Sequence, residues 1–333
     1  MPPGPRTRRP SPRIRSFVSS ATPAGCRSNA IRSITSSAGM KTEEENSGAG
    51  QAAGAGSEGR VSGTISIGHF EFLNGYPLYY GLEQGEGWNC FNLIQVVPTY
   101  LNSLLLEGEL DISPTSSLEY EANAGKLLLF PRLSITADGA VDSIRLISRV
   151  PIAEVTSVAL TGQSATSVVL LKILLQQRYG LEPSYSRLEM GVTEALESSD
   201  AVLLIGDQAL DAFYRGNWEH CYDLGSEWKQ LTGLPMVFAL WAVSRDFFAA
   251  RPEETFEVEE RLLYSVEYCR GHWDEVVTAA AKEYPFQPEL LRAYFAKLRY
   301  DFTDEYRRGL EEFYRRAAEI SAIKRVPELE FIS

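Results

Sequence analysis

The stretch TISIGHFEFLNGYPLYYGL, residues 64–82, decides the fold. Its first part, TISIGHF over 64–70, sets Ile65 and Ile67 on one side at the period of a strand. From FLNGYPL, residues 72–78, onward it turns aromatic-rich and reads as a helix. Asn74 stands where the strand hands over to the helix. Such a junction offers free backbone N–H groups and the positive end of a helix dipole.

The same alternation continues outward. Strands are predicted at NLIQVV (92–97), ELDISP (109–114), KLLLFP (126–131), DSIRLISR (142–149), SVALTG (157–162), SYSRLE (184–189), AVLLIG (201–206) and MVFALWAVS (236–244). Helical runs such as TYLNSLLLEG and SATSVVLLKILLQQRYG lie between them, which makes the chain an α/β protein. After Phe247 only helical patterns remain. In the last of these, Thr303 is a candidate N-cap and Tyr306, Leu310, Phe313, Ala317 and Ile320 form one apolar stripe. The 273 residues after position 60 exceed what one core usually serves, so two lobes are expected. Lobe 1 would comprise 61–150 with the C-terminal helices, 246–333, returning to it. Lobe 2 would be 151–245, and a ligand would sit in the cleft between them, at strand C-terminal ends.

Residues 1–60 differ in kind. They are rich in Pro, Ser, Gly and Ala and carry 9 Lys+Arg against 4 Asp+Glu, so they read as a disordered extension. The whole chain has a net charge of −12, which leaves −17 on the remainder. Arg8-Arg9 and the PAGC run ending at Cys26 look like export signals, but both need an apolar run, and Arg13 and Arg15 interrupt the one present. An organelle leader up to Met40 and a start codon assigned too far upstream both fit the composition. No stretch approaches the ~18 apolar residues of a membrane span. The acidic body argues against a nucleic-acid partner. Four Cys and three His show no ligand spacing, which argues against a structural metal or a disulfide framework.

Four strand-to-helix junctions end in small hydrogen-bonding side chains. Asn74 follows the first strand, SPTSS (113–117) follows ELDI, SATS (164–167) follows SVALTG, and Asp207 follows AVLLIG. Each is also an ordinary N-cap sequence. SPTSS and SATS supply more hydroxyls than one cap requires, and helix starts lined this way suit carboxylates or phosphates without Arg or Lys. No GxSxG elbow and no phosphate-binding glycine loop occurs, and GAGQAAGAGSEG (48–59) precedes the first strand and reads as a linker. His69 is the one histidine near a junction. Its parity with Ile65 and Ile67 places it at the end of an inward row, and a role as general base is the competing reading.

FLNGYPL, LLEGELDISPTSSLEY, VDSIRLISR, ALTGQSATSVVLLKILL, LLIGDQAL and YDLGSEWKQLTGLPMVFALW, in this order, resemble the chorismate dehydratases of menaquinone biosynthesis, which open the futalosine route. The resemblance covers about residues 64–245. It implies a two-lobed, periplasmic-binding-protein-like (type II) fold and a cytoplasmic hydro-lyase that removes water from chorismate to give 3-[(1-carboxyvinyl)oxy]benzoate without metal or organic cofactor. The family's asparagine falls on Asn74, its paired serines on Ser116 and Ser117, and its SxTS hydroxyls on Ser164, Thr166 and Ser167. His69 and Glu71 depart from the usual Tyr-containing sequence, and Arg145 replaces a typical aliphatic residue.

The substrate so implied carries two carboxylates, and two hydroxyl-lined helix starts could hold one each. Elimination creates an aromatic ring, so positioning matters more than strong acid or base groups. The expectation is that the substrate's enolpyruvyl carboxylate takes the proton while Asn74 orients the reacting ring. Asp207 would orient a hydroxyl, and Phe238 and Trp241 would shield the cleft or be core aromatics. Dihydroxynaphthoate synthase of the same pathway and a non-enzymatic solute-binding protein are the alternatives. The sequence leaves the oligomeric state open.

Overall fold

A computed structural model of the chain describes residues 64–70, 72–84 and 91–333. The expected disordered extension over 1–60 lies outside the described residues, as does Glu71.

The quoted stretch forms β1 (Ile65–His69), a single 3-10 turn over Leu73–Gly75, and α1 (Tyr76–Gln84). β2 (Phe91–Gln95) and β3 (Ile112–Ser116) flank β1 in parallel, joined to each other through α2 (Pro98–Leu106). Ile67, paired to both Leu93 and Ile112, is fully buried at the centre of this layer. After α3 (Ser117–Asn123) the chain runs through β4 (Leu127–Ala137), which does not pair with β3. The long strand β10 (Met236–Ser244) inserts antiparallel between the two. Both faces of β10 are covered, which is why MVFALWAVS reads as a nearly unbroken apolar run rather than an alternating one.

The second sheet has the order β7-β6-β8-β5-β9. Its strands are β5 (Ile144–Ser148), β6 (Ser157–Leu160), β7 (Ser184–Arg187), β8 (Ala201–Ile205) and β9 (His220–Asp223). β6, β7 and β8 are parallel, so their C-terminal ends share one edge. From that edge start α4 (Ala165–Ile173) after β6 and α6 (Gly206–Arg215) after β8, while α5 (Val192–Ser198) precedes β8 and α7 (Leu224–Thr232) follows β9.

The passages between sheets fall earlier than residues 150 and 245. β5 already belongs to the second sheet and β10 already belongs to the first. The outward turn is made at Gly139 and Asp142, both at positive φ (102° and 59°), between the end of β4 and the start of β5. The C-terminal part contains α8 (Arg245–Ala250), α9 (Pro252–Gly271), α10 (Trp273–Glu283), α11 (Pro288–Phe295) and α12 (Asp304–Glu319). It also contains a strand the sequence pattern did not suggest. β11 (Leu298–Asp301) pairs with β4 as the edge of the first sheet, and its four residues LRYD are too few and too polar to announce a strand. The stripe on α12 packs as predicted, with Leu310, Phe313 and Ala317 buried. Phe313 meets Trp228 of α7 edge-on at 6.2 Å, so this helix touches both halves of the molecule.

Candidate active site

The two sheets face each other across a cleft with about 730 Å³ of empty space, mouth included. From the first half come Phe70, Phe72, Asn74, Pro98, Pro114, Thr115, Ser116, Ile135, Phe238, Ala239 and Leu298. The segment that crosses between the halves contributes Val141, Ser143 and Ile144, and the second half contributes Gln163, Ser164, Ser167, Ile205 and Gly206. No charged side chain lines the cleft among the described residues.

Asn74 is held by its backbone from both sides. Tyr300 donates to the Asn74 carbonyl at 2.9 Å, and the neighbouring Leu73 N–H donates to Asp207 Oδ1 at 3.2 Å. The side chain is left to the cleft, and its Oδ1 is buried without a hydrogen-bond partner. A buried amide oxygen left unpaired costs about 1–3 kcal/mol, so it marks a place where a ligand donor belongs. On the facing half, Ser164 caps α4 by accepting from the Ser167 N–H at 3.2 Å, and the two hydroxyls lie 3.0 Å apart. Ser116 caps α3 in the same way, accepting from Glu119 N–H at 3.3 Å.

The other predicted positions lie behind these. Ser117 is fully buried and donates to the Val237 carbonyl at 2.7 Å, tying α3 to β10. Thr166 Oγ1 accepts from the Leu118 N–H at 3.0 Å, a contact from one half of the molecule to the other. Asp207 also spans the halves, through Leu73. Burial pushes its carboxyl up to about 6, against the pull of that N–H. Phe238 faces the cleft, whereas Trp241, three residues on and of opposite strand parity, is fully buried on the other face near Tyr79. SPTSS is mostly strand: Ser113 is buried in β3 and only Ser116 caps the helix. Phe70, Phe72, Ser143 and Gln163 also line the cleft, and adjacency to Asn74 and Ser164 is the only sequence signal for the first two and the last.

His69 is not in the lining. Its ring centroid lies 3.7 Å from that of Tyr79, the two planes tilted by 35°, and burial pushes its pKa down to about 4. The unfolded chain therefore binds a proton near pH 6.5 that the folded chain refuses, so this residue lowers stability as pH falls from 6.5 towards 4. Asp207 acts in the opposite sense between about pH 6 and 4, because the folded form holds its proton more tightly. His69→Gln should remove the first effect alone. Urea midpoints at pH 7 and pH 4.5 are expected to show the variant losing roughly 2–3 kcal/mol less than the parent over that interval.

Arg145 is buried and ion-paired. Its guanidinium reaches Asp142 at 2.7 Å and Asp223 at 3.4 Å and lies 3.6 Å over the Phe213 ring. Asp142 also binds Lys297 from the first half and accepts from Tyr214 of α6 at 3.1 Å. Asp223 accepts the N–H groups of Val141, Asp142 and Ser226. The crossing segment that walls the cleft is thus fixed by a buried, charge-balanced cluster.

Gly206 brings the second half against Phe72 of the first. Its φ is +59°, and a β-carbon there would sit 2.9 Å from the Phe72 ring. Gly206→Ala is expected to cost about 1–2 kcal/mol from the left-handed backbone alone. It should also push Phe72 out of the cleft, so chemical denaturation and KM should both report it.

A family model described as menaquinone biosynthesis matches residues 65–319. The chain belongs to this family. Within it, the chain is 35% identical over 261 residues to the chorismate dehydratase of Thermus thermophilus, covering 73% of this chain and 91% of that one. In fold, the family member described here is similar to the periplasmic aliphatic sulphonate binding protein of Escherichia coli, with a TM-score of 0.58, 14% identity and coverage of 81% and 95% of the two chains. It is also similar to a Candida albicans protein with the generic periplasmic binding protein fold, with a TM-score of 0.61, 11% identity and coverage of 81% and 97%. The architecture is the two-lobed periplasmic-binding-protein-like fold. No helix of the described residues is long and apolar enough to cross a membrane.

Proposed function

We propose that this protein is a chorismate dehydratase, converting chorismate to 3-[(1-carboxyvinyl)oxy]benzoate and water in menaquinone biosynthesis. The observation that carries the reading beyond family membership is the buried, unpartnered Asn74 Oδ1 facing an uncharged cleft with hydroxyl-bearing helix starts on both sides. The family's place in menaquinone biosynthesis and the identity to the Thermus enzyme support it.

In the proposed mechanism one carboxylate is held by Ser164, Ser167 and the N-terminus of α4, and the other by Thr115 and Ser116. Phe70, Phe72, Ile205 and Phe238 enclose the ring and exclude water. The Asn74 amide oxygen accepts from the ring hydroxyl and fixes it for departure. The enolpyruvyl carboxylate then removes the proton from the neighbouring ring carbon as the C–O bond breaks, and the carboxyl so formed passes that proton to the departing hydroxide, which leaves as water and restores the carboxylate. The ring becomes aromatic, which supplies the driving force. Among the described residues the lining holds no acid or base, which supports a substrate-borne base, and the position of His69 outside the cleft argues against His69 in that role. Thr166 and Asp207 act in this scheme by holding the halves together, Ser117 by tying α3 to β10 within the first half, and Trp241 by packing. We assign the protein to the futalosine route on the ordered motifs, and to the cytoplasm on the broken apolar run before Cys26.

Purified protein incubated with chorismate should yield an aromatic enol ether lighter by one water, read by mass spectrometry. Chorismate that binds and persists would favour a solute-binding protein. Failure both to bind and to convert it would remove the reading.

A further inference from the structure

A cleft whose described lining offers no cation poses a problem for a dianion approaching a protein whose sequence beyond residue 60 carries a charge of −17. Repulsion of this kind is relieved by a local cation at the mouth. Arg187 is the last residue of β7 and pairs with Leu160, the last residue of the parallel strand β6. It therefore stands on the edge from which α4 and α6 begin. Its Nη2 and Nε lie 3.7 and 3.8 Å from where a β-carbon on Gly162 would be. Gly162 directly precedes Gln163 and Ser164, which line the cleft. The side chain is exposed and, among the described residues, has no ion pair and no hydrogen bond. Other arginines of this half are committed: Arg145 to Asp142, Arg149 to Asp200, Arg178 to Glu227 and Arg215 to Asp211.

We infer that Arg187 is a substrate-capture residue at the mouth of the cleft, attracting the substrate carboxylate that is delivered to the start of α4. The inference rests on the dicarboxylate substrate proposed above. A guanidinium over Gly162 presents a planar fork to a carboxylate arriving beside Ser164. Because it lies outside the lining, it acts on capture and not on elimination. An ammonium at the same place supplies the charge without the fork and should retain part of the effect.

The test compares Arg187→Lys, Arg187→Gln and Arg187→Glu in the full chain, with kcat, KM and the calorimetric Kd for chorismate measured across ionic strength. At low salt, Arg187→Gln should lower kcat/KM about 3–10-fold and Arg187→Glu more, with kcat within about twofold and Arg187→Lys intermediate. The gaps should narrow as salt is raised to about 0.5 M, because the effect is screened. Equal kcat/KM for all variants at low salt, or a gap indifferent to salt, would overturn the role. If the parent binds chorismate without converting it, the dehydratase reading falls and Kd alone still decides Arg187. A parent that neither binds nor converts chorismate overturns both.

Discussion

Asn74→Ala is expected to lower kcat on chorismate by about 10²-fold or more while leaving the dissociation constant within about tenfold. The asymmetry follows from what surrounds the residue. The carboxylates of the substrate are assigned to Thr115, Ser116, Ser164 and Ser167, none of which hydrogen-bonds Asn74 Oδ1, an atom with no partner in the protein. Removing the amide leaves the binding groups in place and takes away the one fixed group near the leaving hydroxyl. Its backbone is secured independently by Tyr300 and, through Leu73, by Asp207, so the variant should fold normally. Asn74→Asp keeps the shape but sets a carboxylate beside an anionic substrate, and should raise KM as well. Presteady-state turnover with saturating chorismate separates the two effects. Near-parental turnover in Asn74→Ala would take the residue out of the mechanism.

The largest loss of stability is expected from Arg145→Met. Breaking a buried ion pair by removing one partner costs about 3–5 kcal/mol, because the remaining charge is stranded. Here two carboxylates, Asp142 and Asp223, lose the cation between them, and Asp142 keeps only Lys297 and Tyr214. Val141, Ser143 and Ile144 wall the cleft beside this cluster, so KM should rise in whatever fraction remains folded. Adding Asp142→Asn to Arg145→Met should recover part of the loss, since the stranded charge is then removed. Guanidinium denaturation of the parent, the single and the double variant measures this. A single variant within about 0.5 kcal/mol of the parent would mean the cluster is solvated and not structural.

Much of the fold was legible because its strands are buried on one face or both. AVLLI of β8 and MVFALWAVS of β10 announce themselves by apolar density, and TISIGHF by alternation. β9 and β11 did not, being four-residue edge strands, HCYD and LRYD, whose neighbours rather than their own residues decide their state. In the cleft, Asn74, Ser116, Ser164, Ser167 and Phe238 were singled out by their places at strand ends and in the returning strand, and all five line it. Ser117 and Thr166 carry the same hydroxyl chemistry one or two residues further on, where the helix turns them inward onto a carbonyl and an N–H. Local pattern cannot tell a hydroxyl that faces a ligand from one that faces the other lobe. The same limit applies to Arg145, whose partners lie at Asp142 and, 78 positions away, at Asp223.

The central claim is that this cleft orients a substrate that brings its own base. The direct test is a chorismate analogue with the enolpyruvyl carboxylate converted to its carboxamide, mixed in single turnover with excess enzyme at concentrations that saturate binding. The expected result is a bound analogue with no detectable aromatic product over the time in which chorismate is fully consumed. Elimination from the amide at a rate near that of chorismate would contradict it and place the base in the protein.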